Sequence, residues 1–201
     1  MPRLDGFTDE KVINETIDRM YQQEPKLKNK KIILFSPTYR GSGSEEANYD
    51  YSKLDLEIIN NYCEKNGFLF IIKMHPFIKE KIVIPVEYQK NMIDLSNMNI
   101  NDLIYITDIM ITDYSSCAYE YSFFNRPLIF YRYDKELYEY LRPMHTIDFF
   151  TKKQYEVCNF ESLIKVLDEL KNVNINDRFK DVIERNTNSC EIIEKVVFKG
   201  E

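Results

Sequence analysis

The chain has 201 residues, 44% of them hydrophobic and 30% charged, with a formal net charge of −6. That length fills one well-packed core or two small ones. Gly at 5 and Pro at 7 are too few for a linker or a disordered segment, while Tyr and Phe reach 15 and 13. The acidic balance argues against nucleic acid held by bulk positive charge and leaves room for a local basic pocket that binds phosphate. Cys63, Cys117, Cys158 and Cys190 form no CxxC or Cys/His pair, which excludes a zinc ribbon or a disulfide framework and makes a reducing cytosol the expected compartment. The most apolar run, residues 68–72, is too short for a membrane span, and the opening MPRLDGFTDEK has no signal-peptide core. Membrane contact is therefore expected to be peripheral.

In chain order, residues 10–23 carry Val12, Ile13, Ile17 and Met20 on one helical stripe. An apolar strand follows at 31–36, then a helix at 52–66 with Leu54, Ile58, Ile59 and Tyr62 at helical spacing. Strand 68–73, a weaker strand near 91–95, helix 101–107, strand 108–112, helix 116–124 and strand 127–131 continue the alternation. Helical segments after Phe160 break near Val173 and Asn188. Continuous apolar strands alternating with helices imply a Rossmann-like, doubly wound parallel α/β sheet covered on both faces. Ligands of such sheets sit beyond the carboxyl ends of the strands.

Three stretches place unusual polar groups there. ILFSPTYRGSG leaves the first strand through Thr38 and Arg40, with Gly41 and Gly43 allowing close backbone approach. Arg40 there is either a bidentate phosphate ligand or a solvated turn residue. IIKMHPF ends the second strand in Lys73, His75 and Pro76. Lys73 and His75 share a side if the strand continues through them. His75 reads as a phosphate donor or acid, or as a packed structural histidine. DIMITDYSSCAYEYSFFNRPLIFYRYD carries Asp113, Ser115 and Ser116 into a helix start, where they either cap it or seat an anion. Glu120, four residues after Ser116, falls on the same helical face and suits ribose hydroxyls.

ILFSPTYR, KMHP, DLIYITDIMITDYSSCAYEYSFFNRPLIFYRYD and the opening MPRLD resemble, in order, the motifs of the CDP-glycerol glycerophosphotransferase family of teichoic acid primases and polymerases and related capsule polymerases. The resemblance covers roughly residues 1–134. It implies the C-terminal, donor-binding half of a GT-B fold, with the N-terminal domain missing. Residues 1–25 form the leading segment and helix, 30–135 the motif-bearing core, and 136–201 a loop and C-terminal helices.

The implied reaction moves glycerol phosphate from CDP-glycerol, or a related CDP-alcohol, to a hydroxyl of a lipid-linked glycan or polymer. CMP is released, at the inner face of the bacterial cell membrane. Donor phosphates are expected on Arg40, Ser115, Ser116, Thr38 and Arg142, and the ribose or nucleotide on Glu120 and Asp113. His75 is expected to be catalytic, with no metal and no cofactor beyond the donor substrate. The chain departs from the family after FYRYD: Arg142 stands where an Arg-Gly loop is usual, but Pro143 replaces the glycine and no Pro-Gly follows. His145 in that loop is a second candidate phosphate donor. A nucleotide-binding module without turnover of its own, or a GT-B glycosyltransferase using a nucleotide sugar, are the alternative readings.

Overall fold

A computed structural model describes residues 9–142 and 154–172. Its centre is a six-stranded, all-parallel sheet of order β3-β2-β1-β4-β5-β6. The strands are β1 (Lys31–Phe35), β2 (Phe68–Ile72), β3 (Met92–Asp94), β4 (Ile109–Thr112), β5 (Leu128–Tyr131) and β6 (Gln154–Val157). Around them lie α1 (Glu10–Gln23), α2 (Leu56–Asn66), α3 (Ile100–Ile106), α4 (Cys117–Ser122), α5 (Lys135–Leu141) and α6 (Phe160–Glu169). The order reverses at β1, which pairs with β2 on one side and β4 on the other. That reversal is where a doubly wound sheet opens its ligand crevice.

The period-two pleat sorts the apolar runs between two faces. Ile33, Phe35, Phe70, Ile72, Ile111 and Ile129 pack with Ile59 and Tyr62 of α2 and Leu163 and Leu167 of α6. Ile32, Leu34, Leu69 and Ile71 turn the other way, onto Met20 of α1 and Leu103 and Ile106 of α3. Met110, Leu128 and Phe130 meet Ile13, Ala118, Tyr121 and Phe124 on that same second face. Helix boundaries follow local chemistry. The Asp9 carboxylate caps α1 by accepting from the Lys11 and Val12 amides, and Asp55 caps α2 through the Ile58 amide. Gly67, at φ 72°, ends α2 in the left-handed region where a side chain is disfavoured.

Two elements go beyond the expected pattern. β6 pairs with β5 at the sheet edge, with Ile129 opposite Tyr155, and α5 occupies the stretch just after β5. The first helical segment after Phe160 is α6, and those beyond Val173 lie outside the described residues, as does His145. Among the described residues no helix is long and apolar enough to cross a membrane.

Arg126 connects layers. Its side chain donates to the carbonyls of Ile104, Tyr105 and Thr107 at 3.2, 3.1 and 2.6 Å, at the end of α3, and its guanidinium carbon lies 4.5 Å from the Phe124 ring centre. Carbonyls at a helix C-terminus carry partial negative charge, so a buried cation there is favoured. Arg126→Met keeps the stem and removes the donors. It is expected to lower unfolding free energy by about 2 kcal/mol or more, measured by urea denaturation.

Candidate functional site

The carboxyl ends of β1, β4 and β5 are bound together by one side chain. Arg40 donates through Nε and Nη2 to both carboxylate oxygens of Asp134, at 2.6 and 3.0 Å. Through Nη1 it donates to Asp113 at 2.9 Å and to the Thr38 carbonyl at 2.6 Å. The rings of Tyr49, Tyr114, Tyr133 and Tyr138 lie 5.0–5.7 Å from its guanidinium carbon. Burial disfavours the charge on Arg40, but the hydrogen bonds to Asp134 and the charge of Asp113 outweigh it and hold the guanidinium above its ordinary pKa.

Asp113 is 1% exposed and also accepts the amides of Thr38 at 2.7 Å and Tyr114 at 2.5 Å. Burial pushes its carboxyl up, against the pull of Arg40 and those amides. The fork expected to grip a phosphate is thus occupied by two carboxylates, and Asp113, expected at the nucleotide, braces loops. Glu120 is also only 1% exposed. It turns into the interior because α4 is packed on the sheet, while Ser116 at the helix start stays exposed. A ribose hydroxyl does not reach Glu120 or Asp113 from solvent in this arrangement.

Gly41 is required by the hairpin rather than by a ligand. Its φ is +105°, and a Cβ there would collide with the Glu46 backbone oxygen, while Gly43 faces open space. Arg40 and Asn48 exchange amide–carbonyl bonds at 2.8 and 3.0 Å across this hairpin. Arg142 donates to the Gly41 carbonyl and lies 5.5 Å from the Tyr39 ring centre, so it fastens the hairpin to the end of α5.

Other groups remain accessible. Ser116 is exposed and Ser115 half-buried at the start of α4, beside Tyr114, whose ring stacks on Tyr138 at 3.6 Å. The Ser116 side chain makes no capping bond, and the Ser115 hydroxyl accepts from the Cys117 amide at 3.4 Å. The Thr38 hydroxyl oxygen is buried with no hydrogen-bond partner among the described residues.

His75 is half-buried. β2 ends at Ile72, so Lys73 and His75 do not continue it, and a turn bond from the Ile78 amide to the His75 carbonyl redirects the chain. The imidazole lies 4.7 Å from both the Tyr39 and Phe77 ring centres. Its Nδ1 accepts from the Phe77 amide at 3.2 Å, which leaves the other nitrogen, Nε2, as the N–H donor of a neutral ring. Burial, and then the charge of Lys73, hold it below the ordinary value of 6.5.

Sequence reasoning missed Asp134, Tyr39 and Tyr138 as members of this site. The signal for Asp134 was its place just past β5, the neighbour of β4. Lys73 was noted only for its spacing from His75.

The sequence profile of the family described as CDP-Glycerol:Poly(glycerophosphate) glycerophosphotransferase matches residues 1–192. The chain belongs to that family. It is 39% identical over 176 residues to the teichoic acid ribitol-phosphate polymerase TarL of Staphylococcus aureus, covering 84% of this chain and 30% of TarL. The ribitol-phosphate polymerase TarK of the same organism is 42% identical over 139 residues, which is 69% of this chain and 27% of TarK. This chain therefore spans about a third or less of the length of these curated relatives. A structure of the wall teichoic acid polymerase TagF soaked with CDPG superposes with a TM-score of 0.70 at 23% identity, over 99% of this chain and 50% of that one. Other neighbours include the lipopolysaccharide heptosyltransferase II of Escherichia coli, and the fold is that of a GT-B half.

Two outcomes follow from this geometry. Lysine cannot span two carboxylates as the planar fork does, so Arg40→Lys is expected to cost about 2 kcal/mol or more of stability, read by denaturant unfolding. The second concerns pH. Folded His75 takes its proton at a lower pH than unfolded His75, so just below 6.5 the unfolded chain binds more protons and stability rises with pH. His75→Gln is expected to flatten that part of the stability curve, measured as urea midpoints between about pH 5 and 7.

Proposed function

We propose that this chain is the donor-binding half of a CDP-alditol phosphotransferase acting in teichoic acid or capsule polymer synthesis. The observation that supports the reading is the placement of His75 and the Ser115–Ser116 pair just past the carboxyl ends of β2 and β4, on either side of β1, in a chain of this family. Groups that donate hydrogen bonds without adding negative charge suit a diphosphate. Arg40, Asp113 and Arg142 act one step behind them, holding the loops that carry Thr38 and Tyr114.

In this reading an acceptor hydroxyl of a lipid-linked glycan or growing polymer attacks the β-phosphorus. Its oxygen bonds to phosphorus, the bond to the CMP oxygen breaks, and the hydroxyl proton passes to a base on the acceptor side of the cleft. Negative charge grows on the equatorial and leaving oxygens, so positioned donors lower the barrier. The Nε2–H of His75 is the donor placed for that charge. The work takes place at the inner face of the cell membrane, where a lipid-linked acceptor presents its hydroxyl.

CDP-glycerol is the donor that the family's description suggests. CDP-ribitol is favoured by the identity of 39–42% to two ribitol-phosphate polymerases and by the changed sequence after Asp134. Calorimetric titration with CMP, CDP-glycerol, CDP-ribitol and UDP-glucose separates these. Binding of the cytidine ligands is expected, with the tighter CDP-alditol naming the alcohol. Binding of UDP-glucose alone would replace the reading with a nucleotide-sugar transferase. Ser116→Asp sets a fixed negative charge against the diphosphate and is expected to weaken binding about tenfold or more without loss of fold. Equal affinity would leave the serines as part of a helix start only.

A further inference from the structure

Arg40 meets any ligand already balanced by two carboxylates. Lys73 differs. It is 6% exposed, and its ammonium donates to the carbonyls of Ser96 at 2.9 Å and Met74 at 3.3 Å. Among the described residues it makes no ion pair with a carboxylate. Burying an ammonium whose direct hydrogen bonds are to neutral carbonyls is costly, and a charge kept under that cost at the mouth of a site points to a use there.

Its position is well defined. The Lys73 amide bonds to the Phe35 carbonyl at 2.8 Å, which ties the exit of β2 to β1. The Ser96 hydroxyl accepts from the Met74 amide at 3.0 Å and donates to Asp94 at 2.5 Å, and the Ser96 amide bonds to the same carboxylate oxygen at 2.8 Å. Asp94 and Ser96 therefore form a brace on the exit of β3, and the brace holds the carbonyl on which the ammonium rests.

We propose that Lys73 is the buried cation whose field favours a diphosphate in front of His75, acting from beneath the β2 exit, with Ser96 and Asp94 holding its ammonium in place. This rests on the donor-binding reading above. Lys73 is a positioning residue here: it sets the field and the chain direction at His75 rather than touching the reacting atoms. The charge of Lys73 is felt at the His75 ring, two residues farther along the chain. The other groups around His75 are Tyr39 from the β1 exit, with Arg142 over that ring, and the Lys79–Glu45 pair on the neighbouring surface. Burial holds the Lys73 ammonium below its ordinary pKa, and from the β3 exit the charge of Asp94 opposes that shift.

The test uses this chain with Lys73→Met and, separately, Ser96→Ala. The His75 ring is titrated by NMR without ligand, with His145→Gln used to assign the two histidines, and CDP affinity is measured at low and high salt. Loss of the Lys73 charge is expected to raise the His75 midpoint by about half a pH unit or more. It should also weaken CDP about tenfold or more, with a shallower salt dependence. Ser96→Ala keeps the charge and the carbonyl under the ammonium but removes the hydroxyl that ties this turn to Asp94 and the Met74 amide, which loosens the seat; it is expected to weaken CDP and move the midpoint in the same direction by less. It also serves as the deciding variant if Lys73→Met does not fold. A folded variant in which either the midpoint or the CDP affinity matches the unaltered chain overturns the inference. Absence of CDP binding by the unaltered chain instead overturns the donor-binding reading, and the His75 midpoint still reports whether the Lys73 charge reaches the site.

Discussion

The guanidinium of Arg40 is the constraint on which the site depends. β1, β4 and β5 are neighbours in the sheet, and each ends in a loop that must leave in a defined direction. Arg40 comes from the first of these loops, Asp113 from the second and Asp134 from the third, so one planar fork sets the mutual position of all three. Fully desolvated ion pairs add little net stability over a well-packed apolar cluster. What this pair supplies is geometry, because the planar fork is satisfied only where both carboxylates stand in place. The surrounding tyrosines exclude water and favour the cation through their ring faces.

That node also decides where an anion does not sit. The Arg40 fork is already engaged by two carboxylates, so a diphosphate brought there would compete with them for it. Under the proposed reading the donors for an anion are His75, past β2, and Ser115 and Ser116, at the start of α4, with the Lys73 cation resting on carbonyls beneath the β2 exit. The asymmetry follows from the reversal of strand order at β1: β4 and β5 carry the carboxylates to one side of it, while β2 carries the lysine and histidine to the other.

The interior strands were legible because a parallel sheet covered on both faces writes each as an unbroken apolar run, as in KIILF and FLFII. The strand QYEV was not, since at the sheet edge only Val157 is buried and the polar residues alternate with partly exposed ones. The candidate site was legible as a location, through polar residues following each strand, but not as a set of pairings. Arg40 and Asp134 are 94 positions apart, and nothing local in the sequence marks that a fork will be filled from so far away. Glu120 shows the opposite failure. Helical spacing set it on one face with Ser116, yet Ser116 is exposed and Glu120 is buried, because spacing carries no information on which face of a short helix the sheet will cover.

The state of His75 bears on what it can contribute. With Nδ1 accepting a backbone amide, the ring has one fixed donor, and a second proton would have to displace that bond in a setting already biased against positive charge by Lys73 and burial. A neutral imidazole near pH 7 is a poor source of a whole proton, but its Nε2–H is oriented and needs little reorganisation when charge develops in front of it. CMP is a phosphate leaving group that departs as an anion without needing protonation, so a fixed donor is the more useful device under the proposed reaction. The lysine then has a second role besides attraction. Under that proposal, burial first and the Lys73 charge second keep the resting imidazole uncharged and preserve the one tautomer whose N–H faces away from the turn, and a bound diphosphate would offset part of that bias when its negative charge arrives.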